Sequence, residues 1–146
     1  MHPNGYDPER HAEQRAARRQ LRRAQLAETR RIRQAVTDMC LLTPARWRAP
    51  CRMAALAEAR QVAICLMRTR LTWPLPTRNG AFLATRIDRL LGGRDHSTVI
   101  RDVAVIAARL SSGRADDAAL RHVVDALTAT LDATYEAESV LDQRAA

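Results

Sequence analysis

The chain has 146 residues, about the length of one domain, and 47% of its residues are apolar while only 3% are aromatic. A core built from Leu, Ile, Val, Ala and Met suits packed helices better than a β-sandwich, and we find neither an N-terminal apolar signal region nor an apolar run of membrane-spanning length. The formal net charge of +8 favours a polyanionic partner.

The charge is unevenly distributed along the chain. Residues 1–33 carry nine Arg and four acids, residues 34–114 carry thirteen Arg and five acids, and residues 115–146 carry two Arg and seven acids. The basic residues are all Arg, so the Lys of a Walker-type phosphate loop is missing, and we expect neither nucleotide binding nor any other cofactor. The odd number of cysteines, without a CxxC pair, predicts reduced thiols in a cytoplasmic protein rather than a disulfide framework or a zinc site.

A basic extension is predicted over residues 1–29, where a disordered start leads into a helix that runs from about Glu9 to Met39. The first half of this helix has few large apolar side chains, which indicates a solvated helix or a segment that becomes ordered on a partner. From Ile32 onward apolar residues share one face at helical spacing, so we expect the folded domain to cover residues 30–132.

Two prolines interrupt the pattern in TPARWRAPCR, residues 43–52, which therefore predicts a basic loop. A second helix is expected from about Met53 to Leu71. Apolar residues at helical spacing give it a buried side, and Arg60, Gln61 and Arg68 are expected to remain on the outside.

A pair of short helices around a glycine turn is predicted next. The loop TWPLPTRNGA ends in an Asn-Gly turn signal, and residues 82–91 fit a short helix. Gly92-Gly93 suits the left-handed conformation just past a helix end, and Asp95 or Ser97 can cap a following helix that ends near Leu110.

A last amphipathic helix is predicted from about Asp116 to Leu131, followed by an acidic tail over residues 133–146. No segment shows sustained period-two alternation. The sequence therefore predicts an all-α fold.

Residues 92–99, GGRDHSTV, bring together side-chain types that also occur in catalytic sites. Consecutive residues on a helix splay about 100° apart, so Asp95, His96 and Ser97 cannot form a nucleophile relay. A metal site at these residues lacks companions at ligand spacing. We therefore predict that the chain is not an enzyme.

A helix-turn-helix accounts better for the same string. A short helix, a tight turn and a second helix form that motif, and the start of the second helix enters the major groove. Carboxylate, imidazole and hydroxyl groups there can read base edges, and flanking guanidinium groups can hold the backbone. The alternative, in which the polar residues only cap a core helix, leaves an exposed His and Arg without a role. The predicted DNA-contacting side chains are Arg94, Asp95, His96, Ser97, Thr98 and Arg101.

The string GGRDHSTVIRD, residues 92–102, resembles the signature of the DNA-binding C-terminal domain (domain IV) of the bacterial replication initiator DnaA. Upstream, AEARQVAICLMR resembles that family's long helix, and ATRIDRLL fits its short helix before the glycine pair. The similarity covers roughly residues 30–132. It implies a Trp-repressor-like helical domain with a helix-turn-helix that binds short, asymmetric DNA boxes.

The resemblance also implies roles for individual residues. Asp95, His96 and Ser97 match base-reading positions, and Arg94 and Thr98 match positions close to the DNA backbone.

Further positions are implied outside the turn. Arg60, Gln61 and Arg68 match polar positions of the long helix that approach phosphates, and Thr85 stands where the family usually has a Pro near the bases. In the basic loop, Arg52 is the best candidate for an Arg that enters the minor groove, and Arg46 and Arg48 are alternatives.

Together these patterns predict a sequence-specific binder of double-stranded DNA that is associated with the nucleoid and regulates transcription or replication initiation. One alternative is an adaptor that uses residues 9–33 or the acidic tail to bind the replication initiator or another protein. The other alternative is a nucleoid protein that binds DNA without sequence preference, through its charge alone.

Overall fold

The computed structural model describes residues 7–48, 54–71 and 96–145, and within these ranges the chain is helical and contains no strand. This confirms the predicted all-α fold. None of the described helices is long and apolar enough to cross a membrane. The helices are α1 (Pro8–Cys40), α2 (Pro44–Arg48), α3 (Ala54–Arg70), α4 (His96–Ser111) and α5 (Ala118–Ala145), with a short 3-10 turn at Ala115–Asp117 before α5.

Helix α1 begins and ends at local signals in the sequence. The Asp7 carboxylate accepts the backbone N–H groups of Glu9 and Arg10 at 3.0 and 3.2 Å, which satisfies two donors of the first turn. At the other end Leu41 adopts a left-handed conformation, φ 51°, and its N–H donates to the carbonyl of Thr37. The observed limits agree with the predicted helix to within one residue at each end.

The two halves of α1 have different environments. Every residue from 7 to 20 is exposed, whereas Thr29, Ile32 and Val36 are buried. The first half is therefore a solvated helix, as one of the two expectations had it, and only the second half contributes to the core.

Helix α3 lies at the centre of the core and packs against both α1 and α4. The buried side chains of α3 recur at helical spacing. Helix α5 completes the core with buried leucines that are one or two turns apart. The fully or almost fully buried apolar residues include Ile32, Val36, Ala63, Ile64, Met67, Val99, Ile106, Leu127 and Leu131.

The helices that flank α3 both run antiparallel to it. Glu28 of α1 pairs with Arg70 at the end of α3, while Cys40 of α1 and Glu58 of α3 line the same cavity at the opposite end. On the other side Arg109, near the end of α4, pairs with Glu58 near the start of α3. The beginning of α4 therefore lies at the same end of the domain as the beginning of α1.

Two segments differ from their predicted structure. Part of the expected basic loop is helix α2, whose Trp47 is 2% exposed and donates its Nε1–H to Thr37 Oγ1 at 2.9 Å. The predicted end of the last helix near Leu131 is wrong, because α5 continues to Ala145. Residues 133–145 belong to this helix, and within them Glu138 pairs with Arg31 of α1.

Other predicted features lie outside the described residues. They are the loop at 72–81, the short helix at 82–91, and the glycine pair at 92–93. Among the cysteines, Cys40 and Cys65 are half-buried free thiols, and burial raises the pKa of both.

The Asp117 carboxylate fixes the connection between α4 and α5. Because a carboxylate titrates, its contribution to stability can be tested by changing the pH. It accepts Ser112 Oγ–H at 2.7 Å and Arg109 Nε–H at 2.8 Å, and these two hydrogen bonds lower the pKa of Asp117. A carboxyl whose pKa is lower in the folded state stabilises the fold above its unfolded pKa of about 3.9, and this contribution disappears as the pH falls below that value.

We expect Asp117→Asn to lower stability at pH 7 and to lose part of the decline in stability on acidification. Urea unfolding of wild type and variant between pH 7 and pH 3 measures both effects. Asp116→Asn is the control, because the Asp116 side chain is 83% exposed. Parallel pH curves for wild type and Asp117→Asn would contradict the assigned role.

Candidate nucleic-acid interface

Helix α4 is attached to α3 through a face that mixes apolar and polar side chains. Val99 and Ile106 are buried, and Asp102 between them is only 8% exposed. The Gln61 amide (Nε2) donates to Asp102 Oδ1 at 3.0 Å, and Arg109 Nη1 lies 2.7 Å from Glu58 Oε1. These two polar contacts fix the rotation of α4 about its own axis, and so determine which residues point outward.

The start of a helix can bind phosphate groups, and the described part of α4 starts at His96. The first N–H groups of any helix have no intrahelical acceptor, and the helix dipole adds positive potential there. The structure describes the backbone at His96 and Ser97, although not their side chains. Thr98 is half-buried and Arg101 is exposed, so Arg101 lies on the outer surface of α4 as the sequence predicts.

The expectation that Arg60 stays on the outside is wrong. Its side chain is 2% exposed, and its Nη2 donates to the carbonyl oxygens of Arg46 at 2.7 Å and Trp47 at 2.9 Å. Buried in this way, the guanidinium attaches α2 to α3 and satisfies carbonyl groups at the end of a short helix. A contact between Arg60 and a phosphate is therefore not supported.

The other two polar positions predicted on the long helix differ from each other. Gln61 is half-buried and its amide is used by Asp102, so it holds α4 in place. Arg68, two turns further along, is exposed. Because α3 and α4 are antiparallel, Arg68 lies at the same end of the domain as the start of α4.

The basic segment around α2 is partly described. Arg46 is exposed, and Trp47 packs below it in the core with the guanidinium of Arg33 5.9 Å from the ring centroid, a cation–π contact. Only the backbone of Arg48 is described. Of the remaining predicted contact residues, Arg52, Thr85, Arg94 and Asp95 lie outside the described residues.

Sequence reasoning missed the residues that orient α4. Asp102 and Arg109 interrupt the apolar stripe of Val99 and Ile106 at spacings of three and four residues. Polar residues inside an apolar stripe are a signal for buried partners, because an unpaired polar group costs free energy there. That signal is present in the sequence, but it does not name the partners Gln61 and Glu58.

Comparison with known proteins gives a consistent result. Residues 29–106 match the family described as the bacterial DnaA protein helix-turn-helix. The chain is also similar to the chromosomal replication initiator protein DnaA of Spiroplasma citri, with 30% identity over 98 residues. That alignment covers 67% of this chain and 19% of the Spiroplasma citri protein. No solved structure matches the chain significantly.

Proposed function

Because this chain belongs to the family of the bacterial DnaA helix-turn-helix, a family of non-catalytic helical DNA-binding domains, we propose that it recognises a specific sequence in double-stranded DNA. The reading end is the N-terminal turn of α4, which inserts into the major groove. The protein acts as a regulator of transcription or of replication initiation at such sites, in the cytoplasm and in association with the nucleoid.

The placement of α4 carries the proposal. Its inner face is fixed on α3 by Val99, Ile106 and the hydrogen bond to Asp102, while Arg101 faces outward. Exposed Arg68 lies at the same end of the domain. A helix fixed in this way, with exposed Arg101 and Arg68 toward the end where it starts, suits a groove lined by phosphates.

The proposed roles of the residues rest on the family resemblance. Asp95, His96 and Ser97 match the family's base-reading positions, and in the sequence they lie at the described start of α4, so in this proposal they read base edges. Arg94 and Thr98 contact the DNA backbone beside them.

Three further arginines contact the duplex away from the groove floor in this proposal. Arg101 of the reading helix and Arg68 of α3 bind phosphates, and an Arg near α2 enters the minor groove. For the minor groove Arg52 is the first candidate, with Arg46 and Arg48 as alternatives, since a narrow A·T-rich groove attracts a guanidinium.

Selection from a random duplex pool, followed by binding measurements at physiological salt, tests this function. The selected duplex is expected to bind roughly 10³-fold or more tightly than a scrambled duplex of the same composition. Equal affinity for the two duplexes would replace the proposal with charge-driven binding. Absence of binding to either duplex would favour the adaptor alternative.

A further inference from the structure

One charged surface has no role in the site described above. Six arginines lie on one side of α1, and we call this surface the arginine face. Their spacings of three, four and seven residues place them on one side of a helix with 3.6 residues per turn. The arginine face consists of Arg15, Arg18, Arg19, Arg22, Arg23 and Arg30.

Opposite charges lie elsewhere on the same helix. Glu9 and Glu13 are one turn apart. Further along the same side of the helix, Ala16, Ala17 and Gln20 follow, so this side carries no Arg there. Glu13 is two positions before Arg15. At about 100° per residue the two side chains are about 200° apart, which is about 160° by the shorter way round the helix. The two kinds of charge are therefore segregated, which does not maximise ion pairs within the helix.

The arginine face is exposed and is not neutralised. All six residues are exposed, and within the described residues none of them forms an ion pair. The arginines that hold the fold behave differently: Arg31, Arg70 and Arg109 each bind two carboxylates, which raise the pKa of the guanidinium groups. An unpaired row of cations on a solvated helix is suited to an external polyanion.

The direction of α1 places this surface toward the same end of the domain as the start of the proposed reading helix. Helices α1 and α4 both run antiparallel to α3, so the exposed half of α1 projects beyond the end of the domain where α4 begins. The part of α1 before Glu28 is about 30 Å long, which equals the rise of roughly nine base pairs. A duplex held at the start of α4 therefore lies within reach of the arginine face.

The face is also continuous with the basic region around α2. Arg33 follows Arg30 by three residues on the same side of α1, and its guanidinium lies over the ring of Trp47 in α2. Exposed Arg46 is the neighbour of Trp47. Arginines are therefore present on this side of α1 from the region next to α2 to the exposed first half of the helix.

We propose that the arginine face of α1 is a second DNA-binding surface, which binds the phosphates of the duplex that flanks the recognised sequence on one side. This inference rests on the proposed function, because it assumes that α4 holds the recognised sequence. It predicts that affinity depends on the length of duplex beyond that sequence, and that the dependence is one-sided.

The test compares two variants with the same change in net charge. In the first, Arg15→Gln, Arg19→Gln and Arg22→Gln are combined, and Gln keeps the helix propensity of these positions. In the control, Arg10→Gln, Arg114→Gln and Arg144→Gln are combined. All three control residues are exposed, and Arg10 points about 140° away from Arg15 on the helix.

Each variant is measured on the selected sequence alone and on the same sequence extended by about ten base pairs on one side or the other. The first variant should bind the short duplex as wild type does. On one extended duplex it should lose on the order of 10-fold in affinity at low salt, and its log–log salt slope should fall by about 2 to 3. Deleting residues 1–20, which are exposed from residue 7 onward, should give the same pattern.

The outcomes separate this inference from the proposed function. If wild type discriminates the short duplex but gains nothing from either extension, the arginine face does not bind DNA and the proposed function remains. If the control variant loses as much as the first, the effect is one of net charge and the inference is wrong. If wild type shows no preference on the short duplex, the proposed function itself fails. Retained affinity of the first variant on all duplexes would overturn the inference in favour of an acidic protein partner.

Discussion

Replacing Arg60 by Met is expected to lower the free energy of unfolding by about 2–4 kcal/mol, the scale for losing charge-assisted hydrogen bonds and leaving buried acceptors unsatisfied. The Arg60 guanidinium donates to the carbonyl oxygens of Arg46 and Trp47, and at 2% exposure no water can replace it. Met fills similar volume but donates nothing. Urea or thermal unfolding of the variant measures the loss.

Arg68→Gln is the matched control for this prediction, because both arginines belong to α3 and both resemble phosphate-approaching positions. Arg68 is exposed, so its replacement should change stability by less than about 0.5 kcal/mol. Its effect should appear in DNA affinity and in the salt slope instead. Equal stability of the two variants would mean that the buried guanidinium does not hold α2 to α3.

The second large effect is expected for His96→Ala, on DNA binding rather than on stability. We expect a loss of about 1–3 kcal/mol in affinity for the selected sequence, the usual scale for one base contact, and almost no change on a scrambled duplex. The fold should be retained, since α4 is held by side chains further along, including Val99 and Asp102, and Ala is the strongest helix former. Competition binding with both duplexes gives the two affinities.

His122→Ala controls for a loss of imidazole as such, because His122 lies exposed on α5, away from the proposed site. It should leave both affinities unchanged. A parallel loss on selected and scrambled duplexes by His96→Ala would show that this residue contributes charge or structure only. The helix start would then not be the reading end.

Whether a residue affects stability or DNA binding depends on whether its side chain is buried. The sequence predicted this burial only in part. Arg60 and Arg68 are eight residues apart in a helix and both are surrounded by apolar and polar neighbours. Their periodicity relative to the apolar residues does not say that α2 would lie over one of them and solvent over the other. The packing of α2 on α3 decides which of the two arginines is buried.

Helix α5 gives a second example. Its apolar periodicity weakens after Leu131, so the sequence predicts an end there, yet the helix continues to Ala145. Asp132 pairs with Arg70 and Glu138 with Arg31, so ion pairs to two other helices take over where apolar burial stops. Those partners are 62 and 107 residues away along the chain.

By itself the sequence predicted most of the helices and a polyanionic partner. Apolar residues at helical spacing predict α1, α3 and α4, the Arg excess predicts a polyanion, and GGRDHSTV predicts a helix-turn-helix, because each of these signals is local. The tertiary structure decided which side of each helix is free. It buried Arg60, engaged Gln61 with Asp102, and left the arginine face of α1 exposed. The physical reason is that a polar side chain becomes structural only when another helix supplies its partner, and no local period contains that information.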